Sequence, residues 1–174
     1  VTIGLLRALA RRGIRVRAAK SGPDYIDPGF HAAATGLPGL NLDSWAMPPE
    51  LIATLFSATA DGADMVIVES AMGLFDGIPS ASGRSGSAAD LARTFGLPVL
   101  LVLDVSGQSQ TAAAVAKGFA VYDPAVRIAG VVLNKVGSER HARLAGEAIE
   151  AAGLTVVGAI PRDERITLPE RHLG

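Results

Sequence analysis

Short apolar runs recur along this sequence, and segments with helical periodicity separate them. Strands that are apolar throughout are buried on both faces, which is typical of a parallel sheet covered by helices. The alternation of strand and helix therefore predicts an α/β fold with a parallel sheet flanked by helices. The predicted strands span residues 16–20, 65–69, 99–104, 128–134 and 156–161.

Helical patterns fill the intervals between these strands, at residues 48–60, 87–95, 110–121 and 138–152. A further helix is predicted at the start, where apolar residues recur at helical spacing from Val1 to Leu9. Gly13 follows it as a C-cap residue would. Residues 168–174 are predicted to be an exit segment outside the helices and strands.

Composition excludes several classes of protein. The chain has 174 residues, of which 49% are apolar and 19% charged, so it can bury a full core as one domain. Its net charge of −1 predicts no general attraction to nucleic acid or to anionic membranes. The absence of cysteine excludes disulfides and thiolate catalysis within these residues. With no long apolar run and no signal-peptide pattern, we expect a cytoplasmic location.

Ligands of open α/β sheets bind beyond the carboxyl ends of the strands, so the residues that follow each strand are the candidates for function. Lys20 ends the first predicted strand and precedes Asp24 and Asp27, whereas Glu69 ends the second and precedes Asp76. Carboxylates of this kind hold Mg²⁺ beside substrate phosphates. The alternative for Asp24 and Asp27 is that each caps a turn.

Some of these residues are harder to explain by structure alone. Glu69 ends a buried strand, where an unpaired carboxylate is costly. Lys20 is either a cation for phosphate or carboxylate oxygens or an ordinary surface lysine. His31 comes four residues after Asp27, on a helix face that the two are expected to share, and is interpreted as a structural or substrate-side residue. Trp45 is predicted to lie in the core or in a pocket wall.

The segment Asn134-Lys135-Val136-Gly137 resembles the Asn-Lys-x-Asp loop that recognises guanine. Gly137 stands where that loop has its aspartate, so the acceptor for the guanine N–H groups is missing. We therefore expect no specificity for GTP, while Asn134 can still bond to an adenine edge.

Several longer strings, together covering essentially the whole chain, resemble the cobyrinic acid (or hydrogenobyrinic acid) a,c-diamide synthase family. The wider relatives of that family are dethiobiotin synthetase and the partition-type P-loop ATPases. The strings are KSGPDYIDPGFHAAATG, NLDSWAM, VIVESAMGLFDG, DVSGQSQTAAAV, RIAGVVLNKVGSERH and GAIPRDERITLPERHLG.

This resemblance implies a P-loop NTPase fold of the dethiobiotin-synthetase type and a carbon-nitrogen ligase of cobalamin biosynthesis. The intact enzyme would have an ATP-dependent synthetase domain followed by a glutamine amidotransferase domain. It would use ATP, Mg²⁺ and glutamine to amidate the a and c acetate side chains of the corrin precursor. Each carboxylate would first become an acyl phosphate, from which ammonia displaces phosphate.

The resemblance also implies roles for individual residues. Asp27 and Glu69 would bind the metal, and Lys20 would hold phosphate or carboxylate. Asp24 and Asp76 would handle the substrate carboxylate or ammonia. The residues expected to face the adenine are Asn134, Pro161 and Arg162.

The chain departs from the family pattern at both ends and at Ser70, where relatives usually have glycine. It starts where the helix after the phosphate loop is expected, so the first strand and the phosphate loop are expected to be absent. Residues 1–174 would then be a single synthetase-domain fragment, inactive alone. The expected partners are a tetrapyrrole carboxylate and ammonia from a glutaminase domain, with no nucleic acid or membrane. A homodimer is left open.

Two other functions stay open at this point. A nickel-sirohydrochlorin a,c-diamide synthase shares the same strings, so the sequence does not separate corrin from nickel-tetrapyrrole substrates. A partition-type switch ATPase would instead have a phosphate loop with an extra lysine and a surface helix for partners. Neither feature is visible in this sequence, and the GPDYIDP string argues against that function.

Overall fold

The computed structural model describes residues 1–166, which fall into two compact units, the first ending at Leu97 and the second beginning at Pro98. The elements of the first unit are α1 (Thr2–Arg11), β1 (Val16–Ser21), α2 (Asp27–Thr35), β2 (Leu40–Leu42), α3 (Pro49–Ala60), β3 (Met65–Glu69) and α4 (Ala88–Phe95). Those of the second unit are β4 (Val99–Asp104), α5 (Thr111–Tyr122), β5 (Ile128–Val136), α6 (Glu139–Ala151) and β6 (Val156–Pro161), followed by a 3₁₀ turn at Glu164–Ile166.

The sheet of the first unit is parallel, with the order β2-β1-β3. In its register, Lys20 of the central strand lies opposite Asn41 on one side and opposite Glu69 on the other. The carboxyl ends of the strands thus bring together polar residues that lie far apart in the sequence.

Two consecutive alanines on β1, which point to opposite faces of the sheet, allow helices to pack closely on both faces. Ala18 packs with Leu6 of α1 on one face, and Ala19 packs with Leu42 and Ile52 on the other. Because successive strand residues point to opposite faces, a strand buried on both faces reads as a continuous apolar run. This packing fixes β1, and with it the position of Lys20.

The sheet of the second unit is also parallel, with the order β4-β5-β6. Val131 and Leu133 of β5 lie in its core with Ala112 of α5 and Ile149 of α6. The parallel sheet flanked by helices that the sequence predicts is therefore confirmed in each unit.

Most element boundaries agree with the predictions. The strands 65–69, 99–104 and 156–161 are confirmed at both ends, and β1 and β5 extend slightly further than predicted. Strand β2 was not predicted, because it is too short to show a periodicity. Ser87 and Ser138 are N-caps whose hydroxyls accept the backbone N–H groups of Asp90 and His141. The exit segment predicted at 168–174 lies outside the described residues. Among residues 1–166, no helix has the length and apolar character that crossing a bilayer requires.

Candidate functional site

The ammonium of Lys20 is the centre of a charged cluster at the carboxyl end of β1. Its side chain is 5% exposed, and Nζ lies 2.6 Å from Oδ2 of Asp27. It lies 3.6 Å from Oε2 of Glu69 and 3.9 Å from Oδ2 of Asp24. It also donates a hydrogen bond to the carbonyl oxygen of Ser70 at 3.2 Å. Lys20 is therefore not a surface lysine but a buried cation held by carboxylates that follow β1 and end β3.

The loop between β1 and α2 presents Asp24 and Asp27 to Lys20. Oδ1 of Asp24 accepts the backbone N–H groups of Ile26 at 2.8 Å and Asp27 at 3.0 Å. Nδ2 of Asn41 donates to the carbonyl oxygen of Asp24 at 2.7 Å, which ties the loop to β2. Asp24 thus caps the turn with one carboxylate oxygen, which is the alternative that the sequence left open for it. Its other carboxylate oxygen is directed toward Lys20.

His31 lies one turn after Asp27 on α2 and is fully buried. Its Nε2 lies 2.7 Å from Oε2 of Glu69, so Glu69 contacts both His31 and Lys20. Its Nδ1 is buried without a hydrogen-bond partner among the described residues. The sequence left His31 as either a structural or a substrate-side residue, and its burial agrees with the structural alternative. Its contact with Glu69 was not foreseen.

The balance of charge in this cluster suits a hard cation or a cationic group. One ammonium faces three carboxylates, and carboxylate oxygens are the ligands that Mg²⁺ prefers. Within residues 1–166, no three His, Cys, Asp or Glu side chains are already arranged to hold a metal ion. The metal-binding roles of Asp27 and Glu69 stay predictions, with a donor set whose chemistry fits Mg²⁺.

A cleft of about 490 Å³ opens next to this cluster and belongs entirely to the first unit. Ser21 and Ser70, the neighbours of Lys20 and Glu69 in the sequence, form part of its lining. Asp76 also lines it and accepts the backbone N–H of Gly73 at 3.0 Å. Trp45 lines the same cleft, which confirms its predicted place in a pocket wall.

The loops that carry Trp45 and Ser85 are joined through the buried carboxylate of Asp90. Oδ2 of Asp90 accepts the hydroxyl of Ser44 at 2.9 Å and the backbone N–H of Ser85 at 2.7 Å, while Oδ1 accepts Arg93 at 2.6 Å. Burial alone would raise the pKa of Asp90, but these hydrogen bonds outweigh it and the pKa is lowered. Asp90 is therefore a charged anchor for the cleft wall.

In the second unit, Asn134 lies near the end of β5, opposite Asp104 of β4 and Ile160 of β6. The backbone N–H of Arg162 donates to the carbonyl oxygen of Val136 at 2.9 Å. The predicted adenine-facing residues, which are Asn134, Pro161 and Arg162, thus lie at the carboxyl ends of two adjacent strands. Contact with adenine remains a prediction for all of them.

Lys135 follows Asn134 with a positive φ of 59°, which is uncommon for a residue with a side chain. Its Nζ lies 2.7 Å from Oδ2 of Asp104. Hydrogen bonds from Lys135 and then from Ser106 hold the pKa of Asp104 well below its usual range. At the guanine-specific position, the backbone N–H of Gly137 donates to Nδ1 of His141 at 3.1 Å.

Sequence reasoning named His31 but missed its partner, and it missed the buried residue Asp90 altogether. His31 carries a signal in its spacing from Asp27, but nothing in the sequence identifies Glu69 as its partner. In the sequence, Asp90 looks like an ordinary acidic residue in the first turn of a helix, where a carboxylate interacts favourably with the helix dipole. Its partners Ser44 and Ser85 come from separate loops, so their convergence appears only in the fold.

Comparison with known proteins gives one family. The family model described as "CobQ/CobB/MinD/ParA nucleotide binding domain" matches residues 1–174. Curated relatives named hydrogenobyrinate a,c-diamide synthase are 76% identical in Mesorhizobium japonicum and 68% identical in Agrobacterium fabrum, over 100% of this chain. The chain spans about 40% of the length of these two relatives.

Solved structures share the fold at low sequence identity. The signal recognition particle 54 kDa protein from Aeropyrum pernix, in complex with GDP, has a TM-score of 0.57 at 19% identity. That match covers 92% of this chain and 38% of the other. The receptor FtsY from Elizabethkingia anophelis, also in complex with GDP, has a TM-score of 0.57 at 22% identity, covering 89% and 50%. These likenesses support the P-loop NTPase fold.

Proposed function

The chain belongs to the CobQ/CobB/MinD/ParA family of nucleotide-binding domains, and from this premise we propose that it is the synthetase part of a hydrogenobyrinate a,c-diamide synthase. The observation that carries the proposal is the 76% identity to a relative of that name across all 174 residues. The buried cluster around Lys20 adds carboxylates suited to Mg²⁺ and one ammonium that could face the oxygens of a reacting carboxylate or phosphate.

We propose that the reaction converts the a and c acetate carboxylates of the substrate to carboxamides, using ATP, Mg²⁺ and glutamine. A carboxylate oxygen attacks the γ-phosphorus of ATP, and the bond from that phosphorus to the ADP oxygen breaks. Ammonia then attacks the acyl carbon of the acyl phosphate. Phosphate leaves with the former carboxylate oxygen and with a proton from ammonia. The ammonia would come from glutamine, hydrolysed by a glutaminase domain.

Positioning and charge neutralisation are the main tasks of a protein in phosphoryl transfer. Lys20 is suited to this because its ammonium is buried and already lies within reach of several oxygen atoms. It would hold the negative oxygens of the carboxylate and of the transferring phosphoryl group. Asp27 and Glu69 would hold Mg²⁺, which when bound supplies further positive charge.

Asp24 and Asp76 would act on the substrate side. Both carboxylates lie at the carboxyl end of the first unit's sheet, Asp24 beside Lys20 and Asp76 in the cleft. Each can accept a proton or a hydrogen bond from ammonia, or orient the substrate carboxyl group. Asn134, Pro161 and Arg162 would contact the adenine of ATP.

The test uses the full-length protein with hydrogenobyrinic acid, ATP, Mg²⁺ and glutamine, followed by mass spectrometry of the products. The proposal predicts that a monoamide forms first and a diamide second, and that each amide formed is accompanied by one ADP and one phosphate. Cobyrinic acid and nickel-sirohydrochlorin are tested in parallel as substrates. The proposal is rejected if no diamide forms, or if nickel-sirohydrochlorin is amidated with the higher kcat/KM.

A further inference from the structure

Trp45 is an exposed aromatic residue on a fixed backbone. The residue is 57% exposed and lines the cleft next to the Lys20 cluster. Its backbone N–H donates to Oδ1 of Asp43 at 2.9 Å, and its carbonyl oxygen accepts Arg84 at 2.8 Å. Leaving an indole in water is unfavourable, so a rigid backbone that presents one to solvent is typical of a recognition surface.

The segment that carries Trp45 is held from its other side as well. The hydroxyl of Ser44 donates to the buried carboxylate of Asp90 at 2.9 Å and accepts the backbone N–H of Gly86 at 3.0 Å. Asp90 is 1% exposed, and it also binds the loop of Ser85. The wall of the cleft is therefore ordered before any ligand enters, which lowers the entropic cost of binding.

Other apolar side chains complete the lining of this cleft. Met72 is 72% exposed and Ile78 is 48% exposed, and both line it together with Phe75. The cleft also includes Ser70, whose carbonyl oxygen accepts the ammonium of Lys20. The lining is therefore largely apolar, and at Ser70 it reaches the residue to which the Lys20 ammonium is bonded. This arrangement fits a ligand with a broad apolar body and a carboxylate at its edge.

We propose that the indole of Trp45 stacks on the conjugated macrocycle of the tetrapyrrole substrate, so that one edge carboxylate reaches Lys20. This inference rests on the proposed function, and it assigns the cleft to the substrate rather than to the nucleotide. Aromatic faces stack on planar conjugated ligands in an offset arrangement that adds to the burial of apolar area. Trp45 is then a residue that determines substrate affinity without taking part in bond making.

The test compares Trp45→Ala and Trp45→Phe in the full-length protein. We expect Trp45→Ala to raise the KM for the tetrapyrrole about tenfold or more, and Trp45→Phe to stay within about threefold of wild type. The KM for ATP and the melting temperature should not change, because the side chain is exposed. Tyr122→Ala, an exposed aromatic residue on α5 that does not line the cleft, is the matched control.

A direct titration separates this inference from the proposed function. The dissociation constant of hydrogenobyrinic acid is measured by absorbance, without ATP and glutamine, for wild type and both variants. A weaker constant for Trp45→Ala supports the stacking role even if no diamide is formed. The inference is overturned if that constant and the tetrapyrrole KM stay within about twofold of wild type. It is also overturned if Trp45→Ala raises the KM for ATP instead.

Discussion

Nε2 of His31 lies 2.7 Å from Oε2 of Glu69, a contact that joins α2 to the carboxyl end of β3 across 38 residues of sequence. The same oxygen of Glu69 lies 3.6 Å from Nζ of Lys20. Glu69 is therefore oriented by a buried imidazole on one side and a buried ammonium on the other. A carboxylate held in this way needs little rearrangement when a ligand arrives.

Glu69→Gln should reduce turnover strongly without unfolding the protein. The amide keeps the shape of the side chain and can still bond to His31, but it removes the charge. Loss of one electrostatic contact that strengthens in the transition state costs on the order of 10²-fold or more in turnover. Amidation rates of the full-length variants, with melting temperatures as the folding control, check this prediction. Asp27→Asn should behave in the same way.

The matched control for these variants is Asp64→Asn, at the amino end of the same sheet. Asp64 forms an exposed ion pair with Arg15 at 2.7 Å, and that pair lowers the pKa of Asp64 to about 2. Because exposed ion pairs contribute little, both activity and stability should be close to wild type. Near-normal turnover in Glu69→Gln would contradict the metal role and leave the cluster a structural one.

Lys20→Met should destabilise the protein more than Asp27→Asn does. Removal of the ammonium leaves the carboxylates of Asp24, Asp27 and Glu69 facing one another, and breaking a buried pair in this way costs about 3 kcal/mol. Asp27→Asn leaves Lys20 with Glu69 and with the carbonyl oxygen of Ser70. Urea unfolding of both full-length variants measures the difference. Equal losses of stability would mean that Lys20 is less central to the cluster than its contacts indicate.

Asp90→Asn should lower stability at neutral pH, by about 2 kcal/mol for lost hydrogen bonds to a charged group. The folded pKa of Asp90 lies below its ordinary value of 3.8, so the ionised form contributes stability above about pH 4. That contribution is lost as the pH falls through the folded pKa. The difference in unfolding free energy between wild type and variant should therefore narrow in acid.

Unfolding free energies at about pH 7 and about pH 3 give the required comparison. Glu147→Gln serves as the control, because its exposed contact with Arg143 spans 3.5 Å and should contribute little at either pH. If the Asp90→Asn difference is the same in acid as at neutral pH, the stabilisation does not come from the ionised carboxylate.

The full-length protein should bind ATP more tightly than GTP. The position of the guanine-specific aspartate is occupied by Gly137, whose backbone N–H donates to His141 instead. Nothing at Gly137 can accept the N–H groups of guanine, whereas Asn134 can bond to an adenine edge. Gly137→Asp should narrow the preference for ATP, since a Cβ added there makes an ordinary contact with His141. Calorimetric titration of wild type and variant with ATP and with GTP measures both dissociation constants. Tighter binding of GTP than of ATP by wild type would refute the adenine assignment.

The sequence could predict the positions of Lys20 and Glu69, because each ends a predicted strand and parallel strands end at the same edge of a sheet. It could also predict the fold class, since strand and helix alternate with clear periodicities. Strand β2 could not be found, because its three residues are too few for a pattern. Its absence from the prediction hid Asn41, which anchors the Asp24 loop.

Contacts that depend on tertiary packing were beyond the sequence. The sequence leaves Asp24 as either a turn cap or a site residue. In the structure one of its oxygens caps the turn and the other lies 3.9 Å from Nζ of Lys20, while its role in a site stays a prediction. Likewise, no local pattern distinguishes Asp90 from an ordinary first-turn acid on a helix. Only the fold brings Ser44 and Ser85 to its carboxylate.

The division of the chain at Leu97 bears on how proteins of this family can diversify. The Lys20 cluster and the Trp45 cleft come from one continuous stretch of the gene, and the candidate adenine residues come from the next. On the proposed roles, recombination between related genes at this junction would exchange tetrapyrrole preference while leaving nucleotide preference intact. The specificity for the tetrapyrrole and the specificity for the nucleotide could then change independently in evolution, although one polypeptide carries both.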